Sequence, residues 1–518
     1  MTQPSQPPPP PHDEPPSLWT AAEPSRRYSS LGDGNGDGGV ERTLDVAVIG
    51  GGIVGLSAAL MLQDAGLDVA VIEARRVGRQ VTGRSTAKVT AQHALKYASL
   101  RSTYGAEAAR LYATANQSAV VAIRERAARL DADVHFEAQT AYTYATERAS
   151  LDDVRQEVEA AREAGLPSRF ESHLDIPYEH VGAVAFDEQA QFDPYAYLEA
   201  LAARVAERGA IFENTVVADV DHGDPCRVTT HSGHTLLARH VIVATHLPFL
   251  DRGLYFARTK PRTHAVLAAR VDGPRLDGMY IAADAPTRSF RSFEDERGRW
   301  LVFLGDSFTP GSRDTAALFE DLEAEARERF PITEVRYRWT NEDFDSVDGL
   351  PLVGPALPGR DRVLVATGFS AWGITNGHVA AEILVSSILG RPNPIGELFS
   401  TTRFTPLASA RTTAGEVVET AKSLADRYLP GGILDLDAIE PGAASVGELN
   451  GERAAVSRDE DGTLHAVSAI CTHLGCVVGW NAEMRTWDCP CHGSSFSREG
   501  DVLHGPAVHN LSHIDLDR

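Results

Sequence analysis

Positive charge is what this chain is short of. Against 72 Asp and Glu it carries 49 Lys and Arg, a formal net charge of −23 at pH 7 over 518 residues. Such a surface repels phosphate backbones and anionic lipid headgroups, so nucleic acid is not expected as a partner, and no basic patch stands out in the sequence. Long apolar runs are almost as scarce. One stretch, Val46 to Leu62 (VAVIGGGIVGLSAALML), has the hydropathy of a membrane span, but its glycines belong to another pattern, and no integral membrane segment is expected. Thiols are few: five cysteines, four of which stand between Cys471 and Cys491. The fifth, Cys226, reads as an inert loop thiol.

The remaining composition is that of a soluble globular protein, 43% apolar and 23% charged, long enough for two or three domains. Residues 1–43 are rich in Pro, Gly and Ser and have no apolar periodicity, so they read as a disordered tail. Arg26-Arg27 within it lacks the apolar segment that an export signal needs after its arginines, which leaves a cytoplasmic location as the expectation.

The first chemical pattern is LDVAVIGGGIVGLSAALMLQDAGLDVAVIEA. Val46, Val48 and Ile49 form a short buried strand, Gly50-x-Gly52-x-x-Gly55 turns into a helix, and a second strand ends at Glu73. Gly50 permits the tight turn, Gly52 lets backbone approach a pyrophosphate at the helix N-terminus, and Gly55 allows close helix–strand packing. Glu73 would accept hydrogen bonds from a ribose. No second such motif follows, so a separate NAD(P)H domain is not expected. FAD and NAD share this fingerprint, and the rest of the chain has to decide between them.

Downstream, ARHVIVATHLPF (Ala238 to Phe249) reads as a strand returning to the same sheet, and DGLPLVG (Asp348 to Gly354) and TGFSAWGIT (Thr367 to Thr375) precede an apolar helix. With GGGIVG and Glu73, these segments resemble the D-amino acid oxidase-like family of FAD-dependent oxidoreductases over roughly residues 44 to 400. The resemblance implies an FAD site in which Gly368, Phe369, Ser370, Gly373 and Ile374 bring backbone amides to the flavin, and a small organic substrate, an amine or amino acid. One stretch departs from the family pattern, RRVGRQVTGRSTAKVTAQHALKY after Glu73. Lys88 within it is the catalytic candidate, near flavin N5, or else a solvated lysine. His93 could tether flavin covalently. Arg258, Lys260, Arg262 and Arg291 could bind a substrate carboxylate, although surface ion pairs are the commoner fate of arginine.

Beyond residue 429 the text changes to short strands broken by Gly and Asp turns, a small β domain. Within it stand Cys471-x-His473 and Cys489-x-x-His492. One thiolate and one imidazole from each of two loops is the ligand set of a Rieske 2Fe-2S centre, and a zinc site could use the same residue types. The full boxes, CTHLGC and CPCHGS, resemble the Rieske proteins of cytochrome bc-type complexes. By that resemblance Cys476 and Cys491 pair in a disulfide, Ser494 donates a hydrogen bond to the cluster, and GDVLHGPAVHNL covers its third side. Phe496 departs from the tyrosine usual there. Asp501, His504 and His509 imitate the two-His, one-carboxylate iron site of an oxygenase, but Gly505-Pro506 interrupts any helix that would carry both histidines.

The expected fold is α/β: a Rossmann-type FAD-binding domain with an inserted α+β substrate domain, followed by a small all-β Rieske domain. The boundaries are a tail over 1–43, an oxidoreductase domain over 44–405, a helical connector over 406–429 and a Rieske domain over 430–518. Within the second, FAD-binding parts fall at about 44–97, 186–255 and 341–395 and substrate-covering parts at about 98–185 and 256–340. The expected partners are a small-molecule substrate and an electron acceptor such as a quinone, a cytochrome or another carrier. Two alternatives stand beside this dehydrogenase reading, an electron carrier or redox sensor without its own organic substrate and a Rieske oxygenase component. The two cofactors are expected to occupy separate domains, with FAD retention independent of the cluster.

Overall fold

The computed structural model describes residues 15–33, 43–403, 405 and 432–516. The connector expected over 406–429 lies outside the described residues.

Strand Leu44–Ile49 is apolar and buried because it is covered on both faces, and it pairs in parallel with Val69–Ile72 on one side and Thr235–Val243 on the other. Ala210–Phe212 and Arg360–Thr367 extend the parallel set outward, and Leu352–Leu357 closes one edge antiparallel. Helix Ile53–Asp64 crosses from the first strand to the second and packs against helix Gly373–Ile388. The C-terminal ends of the parallel strands therefore open on one rim, where α/β folds bind ligands.

A second, nine-stranded sheet stands over that rim. It runs from Ile332–Ser346 through Thr259–Val271, Gly298–Phe308, Ser289–Asp295, Met279–Ala282, Glu137–Ala145 and Gly182–Gln191 to Lys88–Val89, and Ser168–Glu171 pairs with Gly182–Gln191 as the ninth strand. This sheet redraws the expected internal boundaries. Lys88–Val89 and most of Gly182–Gln191 join it from stretches assigned to the FAD-binding part, and Ile332–Ser346 runs in it past residue 340. Conversely, helix Ala106–Ala127, expected over the substrate, packs against Gly373–Ile388, the helix that also covers Ile53–Asp64 of the parallel sheet unit.

The N-terminal stretch corrects the expectation of a disordered tail for residues 15–33. Leu18 and Trp19 are 0% and 1% exposed, and Trp19 packs edge-on against Phe293 with its indole N–H donating to the Ser85 carbonyl at 2.8 Å. Average composition hid two apolar side chains that find a place in the core.

The C-terminal domain has a three-stranded sheet (Ala444–Leu449, Glu452–Arg458, Leu464–Ser468) and a four-stranded one (Gly479–Asn481, Thr486–Asp488, Ser495–Ser497, Val502–His504). Among the described residues no helix is long and apolar enough to cross a membrane.

Candidate functional site

A cavity of about 2100 Å³ opens on the rim of the parallel sheet, and its wall draws on both domains. At one end lies the glycine turn. Gly50 has φ +112°, and a Cβ there would strike the Ala244 carbonyl; a Cβ on Gly55 would run into the Gly50 carbonyl. Gly52 caps helix Ile53–Asp64 with extended backbone, and the nearest atom to a Cβ there would be Thr82 Oγ1 at 3.4 Å, so the ground before the helix N-terminus is open. Glu73 closes the second strand. Its carboxylate accepts from the Gly51 N–H at 2.7 Å and the Arg75 N–H at 2.9 Å, while burial pushes its pKa up. A helix N-terminus that opens on the cavity beside an anchored carboxylate fits a pyrophosphate and ribose.

At the other end the loop 367–373 enters helix Gly373–Ile388. Phe369, Gly373 and Ile374 line the cavity, whereas Gly368 and Ser370 do not and instead shape the turn, with φ of +76° and +52°. Ala371 follows at +64°, a second consecutive non-glycine residue in the left-handed region. The loop is tied to strand Ile332–Ser346: Ser370 N–H donates to the Phe344 carbonyl at 3.1 Å, and the Ala371 N–H to Asp343. His93 braces it from behind. Its ring stacks on Trp372 at 4.7 Å, and its nitrogens meet the Tyr112 hydroxyl at 2.6 Å and the Thr90 carbonyl at 2.9 Å. His93 is buried and outside the cavity wall, so it is no flavin tether.

Between these ends the nine-stranded sheet presents a mixed face. Lys88 lines the cavity, its ammonium donating to the Tyr280 carbonyl at 2.8 Å and the Ser289 hydroxyl at 2.5 Å; burial and Arg291 lower its pKa to about 7. It is not a solvated surface lysine. Across the sheet, His264 and Asn341 are direct cross-strand partners, and His264 Nδ1 and Asn341 Oδ1 are buried without hydrogen bonds. Burial lowers the His264 pKa, and the Gly305 carbonyl accepts a hydrogen bond from its ring N–H. That places the proton on Nε2 and leaves the Nδ1 lone pair unmatched. Val266, Leu304 and Ile281 fill the face between.

Sequence reasoning missed His264 and Asn341. The alternation in RTHAVLAARV puts His264 on one face with Val266, but alternation does not say which face looks at the rim. The four carboxylate candidates chosen instead are all absent from the cavity wall. Arg258 donates to the Thr401 carbonyl, Arg262 pairs with Asp345, and Arg291 is fully buried against Trp19 and the Thr86 carbonyl. Lys260 lies two residues from Arg262 on the same strand, also off the wall.

In the C-terminal domain Cys471 and Cys489 are buried free thiols hydrogen-bonded to each other, which pulls the Cys471 pKa down and pushes that of Cys489 up. The rings of His473 and His492 sit 5.0 Å apart at right angles. Cys476 and Cys491 form a disulfide, and the sulfurs of Cys476, Cys489 and Cys491 lie within 4.8 Å of one another. A disulfide sulfur has no thiolate to give, so the donor set is two thiols and two imidazoles, which fits a Rieske-type cluster. The Ser494 hydroxyl bonds Cys471 and accepts from the Ala507 N–H at 3.0 Å.

The two imidazoles face the other domain. Phe256 sets its ring edge-on to His473 at 5.1 Å and to His492 at 5.2 Å. Nearby, His246 contacts Phe344 at 4.7 Å and His504 at 5.5 Å, and burial with His504 lowers its pKa to about 3. Asp501, His504 and His509 do not converge: Asp501 accepts from Asn510, while His504 packs on His246 and His509 on His231.

The profile of the family described as FAD dependent oxidoreductase matches residues 45–387, and that of the Rieske [2Fe-2S] domain matches 433–515. A Bacillus subtilis (strain 168) relative, the Rieske 2Fe-2S iron-sulfur protein YhfW, is 36% identical over 476 residues, 91% of this chain and 94% of that protein. An iron-sulfur subunit of the cytochrome b6-f complex of Cyanophora paradoxa is 45% identical over 86 residues, 16% of this chain and 36% of the subunit. Among solved structures, glycine oxidase from Geobacillus kaustophilus superimposes with TM-score 0.59 at 21% identity, covering 70% of this chain and 99% of the oxidase. L-proline dehydrogenase from P. horikoshii does so with TM-score 0.59 at 18% identity, covering 70% and 98%. At those identities the two structures speak to the fold.

Proposed function

Because the chain belongs to the FAD-dependent oxidoreductase family and carries a Rieske 2Fe-2S domain, we propose that it is a dehydrogenase that oxidises a carbon–nitrogen bond of a small amine or amino acid and passes the electrons through the cluster to a quinone, cytochrome or similar acceptor. When bound, FAD supplies the two-electron oxidation and the cluster the one-electron transfer. The glycine turn with Gly50, Gly52, Gly55 and Glu73 holds the dinucleotide end, and Phe369, Gly373 and Ile374 border the flavin, on a turn shaped by Gly368 and Ser370. Cys471, His473, Cys489 and His492 hold the cluster, and the disulfide clamps their two loops. A cytoplasmic location belongs to the same reading.

The observation that carries the proposal is the direction of the ligand histidines. His473 and His492 turn toward Phe256 of the flavin-bearing domain at 5.1 and 5.2 Å, an arrangement suited to receiving electrons from within the chain. The sheet face supports an amino acid as substrate. Lys88 and Ser289 are donors for a carboxylate, His264 Nδ1 and Asn341 Oδ1 are acceptors for amine protons, and the apolar strip between them suits a short carbon skeleton. A neutral His264 can also hold the proton that an ammonium must lose before its carbon is oxidised.

The test is anaerobic addition of a panel that includes glycine, sarcosine and L-proline to the protein carrying both cofactors. Bleaching of the flavin by a member of the panel, with the paramagnetic signal of the reduced cluster appearing, is the expected outcome. Bleaching without any cluster signal defeats the electron route, and no bleaching by any amine or amino acid defeats the substrate class.

A further inference from the structure

The loop around residues 501–510 faces two ways. Toward the cluster, its Ala507 N–H donates to Ser494 Oγ at 3.0 Å, and its His509 carbonyl accepts from Thr472 Oγ1 at 2.5 Å. Toward the other domain, Leu503, His504 and Val508 line the same cavity as the glycine turn and Glu73. His504 lies against His246, three residues beyond strand Thr235–Val243, and Ala244, the residue just after that strand, donates its N–H to the Ile49 carbonyl at 2.8 Å, immediately before the glycine turn. His509 lies 6.5 Å from His231, on the turn that leads into that strand.

We propose that this loop is a wall of the dinucleotide site, so that FAD is held firmly only while the Rieske domain is docked, and bound FAD in turn stabilises the docked state. The sequence-based expectation was the opposite, FAD retention independent of the cluster. The docking is specific. The Asn481 amide donates to Thr340 Oγ1 at 3.2 Å, the Ala482 N–H to Thr315 Oγ1 at 2.8 Å, and the Thr340 N–H to the Met484 sulfur at 3.3 Å. Thr340 immediately precedes Asn341 of the cavity wall. Since the loop is shared, whatever FAD gains from a docked wall the docked state gains from FAD, by linkage.

Gly479 offers a wedge. The three nearest atoms to a Cβ there all belong to Gly311 of the other domain, so Gly479→Val pries the domains apart. In the full-length protein with both cofactors, followed by the fluorescence of released FAD after dilution, Gly479→Val should release FAD at least about tenfold faster than wild type while the cluster's paramagnetic signal persists. Release at the wild-type rate with the cluster in place overturns the proposal. Hydrogen exchange on the wild-type protein decides the matter if the variant loses its cluster: amides of residues 501–510 should exchange about tenfold more slowly with FAD bound than after its removal. Equal exchange in the two forms overturns it.

Discussion

Lys88 and His264 face the same cavity with opposite hydrogen-bonding character, and two non-reacting probes separate them. Pyrrole-2-carboxylate carries a carboxylate and an N–H, whereas 2-furoate keeps the carboxylate but offers a ring oxygen in place of the donor. Perturbation of flavin absorbance should report about tenfold tighter binding of the pyrrole, the worth of one hydrogen bond to an otherwise unmatched buried acceptor. His264→Ala should abolish that preference, and Lys88→Met should weaken both ligands together. A preference that survives His264→Ala removes His264 from the site. The pH dependence has a definite sign. With a pKa of about 7, Lys88 is charged below that pH and neutral above it, so carboxylate affinity should rise as pH falls through 7, with proton uptake on binding, and should be flat there in Lys88→Met. At the cluster, Phe496 is fully buried in the core that contains Cys471 and Cys489. Phe496→Tyr adds a donor within this core and should raise the midpoint potential by about 40 mV if the hydrogen bond is worth about 1 kcal/mol more to the reduced cluster. Ser494→Ala removes a donor to Cys471 and should lower it; a potentiometric titration with either sign reversed refutes the argument. The cysteine and histidine boxes, Gly50 and Glu73 were legible in the sequence because their chemistry depends on spacing within one short stretch. His264 and Asn341 were not, because they meet only through strand pairing across residues far apart in the chain.

Among the elements, the stretch over residues 15–33 carries a prediction of its own. It crosses the glycine-turn end of the cavity, fastened by Ser17 Oγ donating to the Gly83 carbonyl at 2.6 Å, the Tyr28 N–H to Glu213 at 3.0 Å and the Leu31 N–H to Thr215 Oγ1 at 3.0 Å. Trp19 is its apolar anchor. Trp19→Ala should cost about 3 kcal/mol of local packing, freeing the strap and accelerating FAD release, measured by protease sensitivity of the N-terminal stretch and by FAD fluorescence on dilution. An N-terminal stretch as resistant as that of wild type would show that Trp19 does not hold it. Composition read this segment as disordered because its prolines and serines dominate the average, and one buried indole does not change an average. The strands and helices of the parallel sheet were legible for the reverse reason: in Leu44–Ile49 and Arg360–Thr367 the run of apolar residues is itself the structure.

At the scale of the molecule, one strand joins the functions. Ile332–Ser346 carries Thr340 at the docking contact, Asn341 in the cavity wall, Asp343 beneath the loop 367–373 and Phe344 against His246. The sequence foretold two cofactor domains in order along the chain, but their docking is a tertiary fact with no local signature, and so the shared wall went unforeseen. The account's central claim is that electrons cross from flavin to cluster inside one chain. Its most direct measurement is selective photoreduction of the flavin under anaerobic conditions, with the rate of cluster reduction recorded over a wide range of protein concentration. A rate independent of concentration is the predicted result, and a cluster that stays oxidised, or one reduced at a rate proportional to protein concentration, would contradict it.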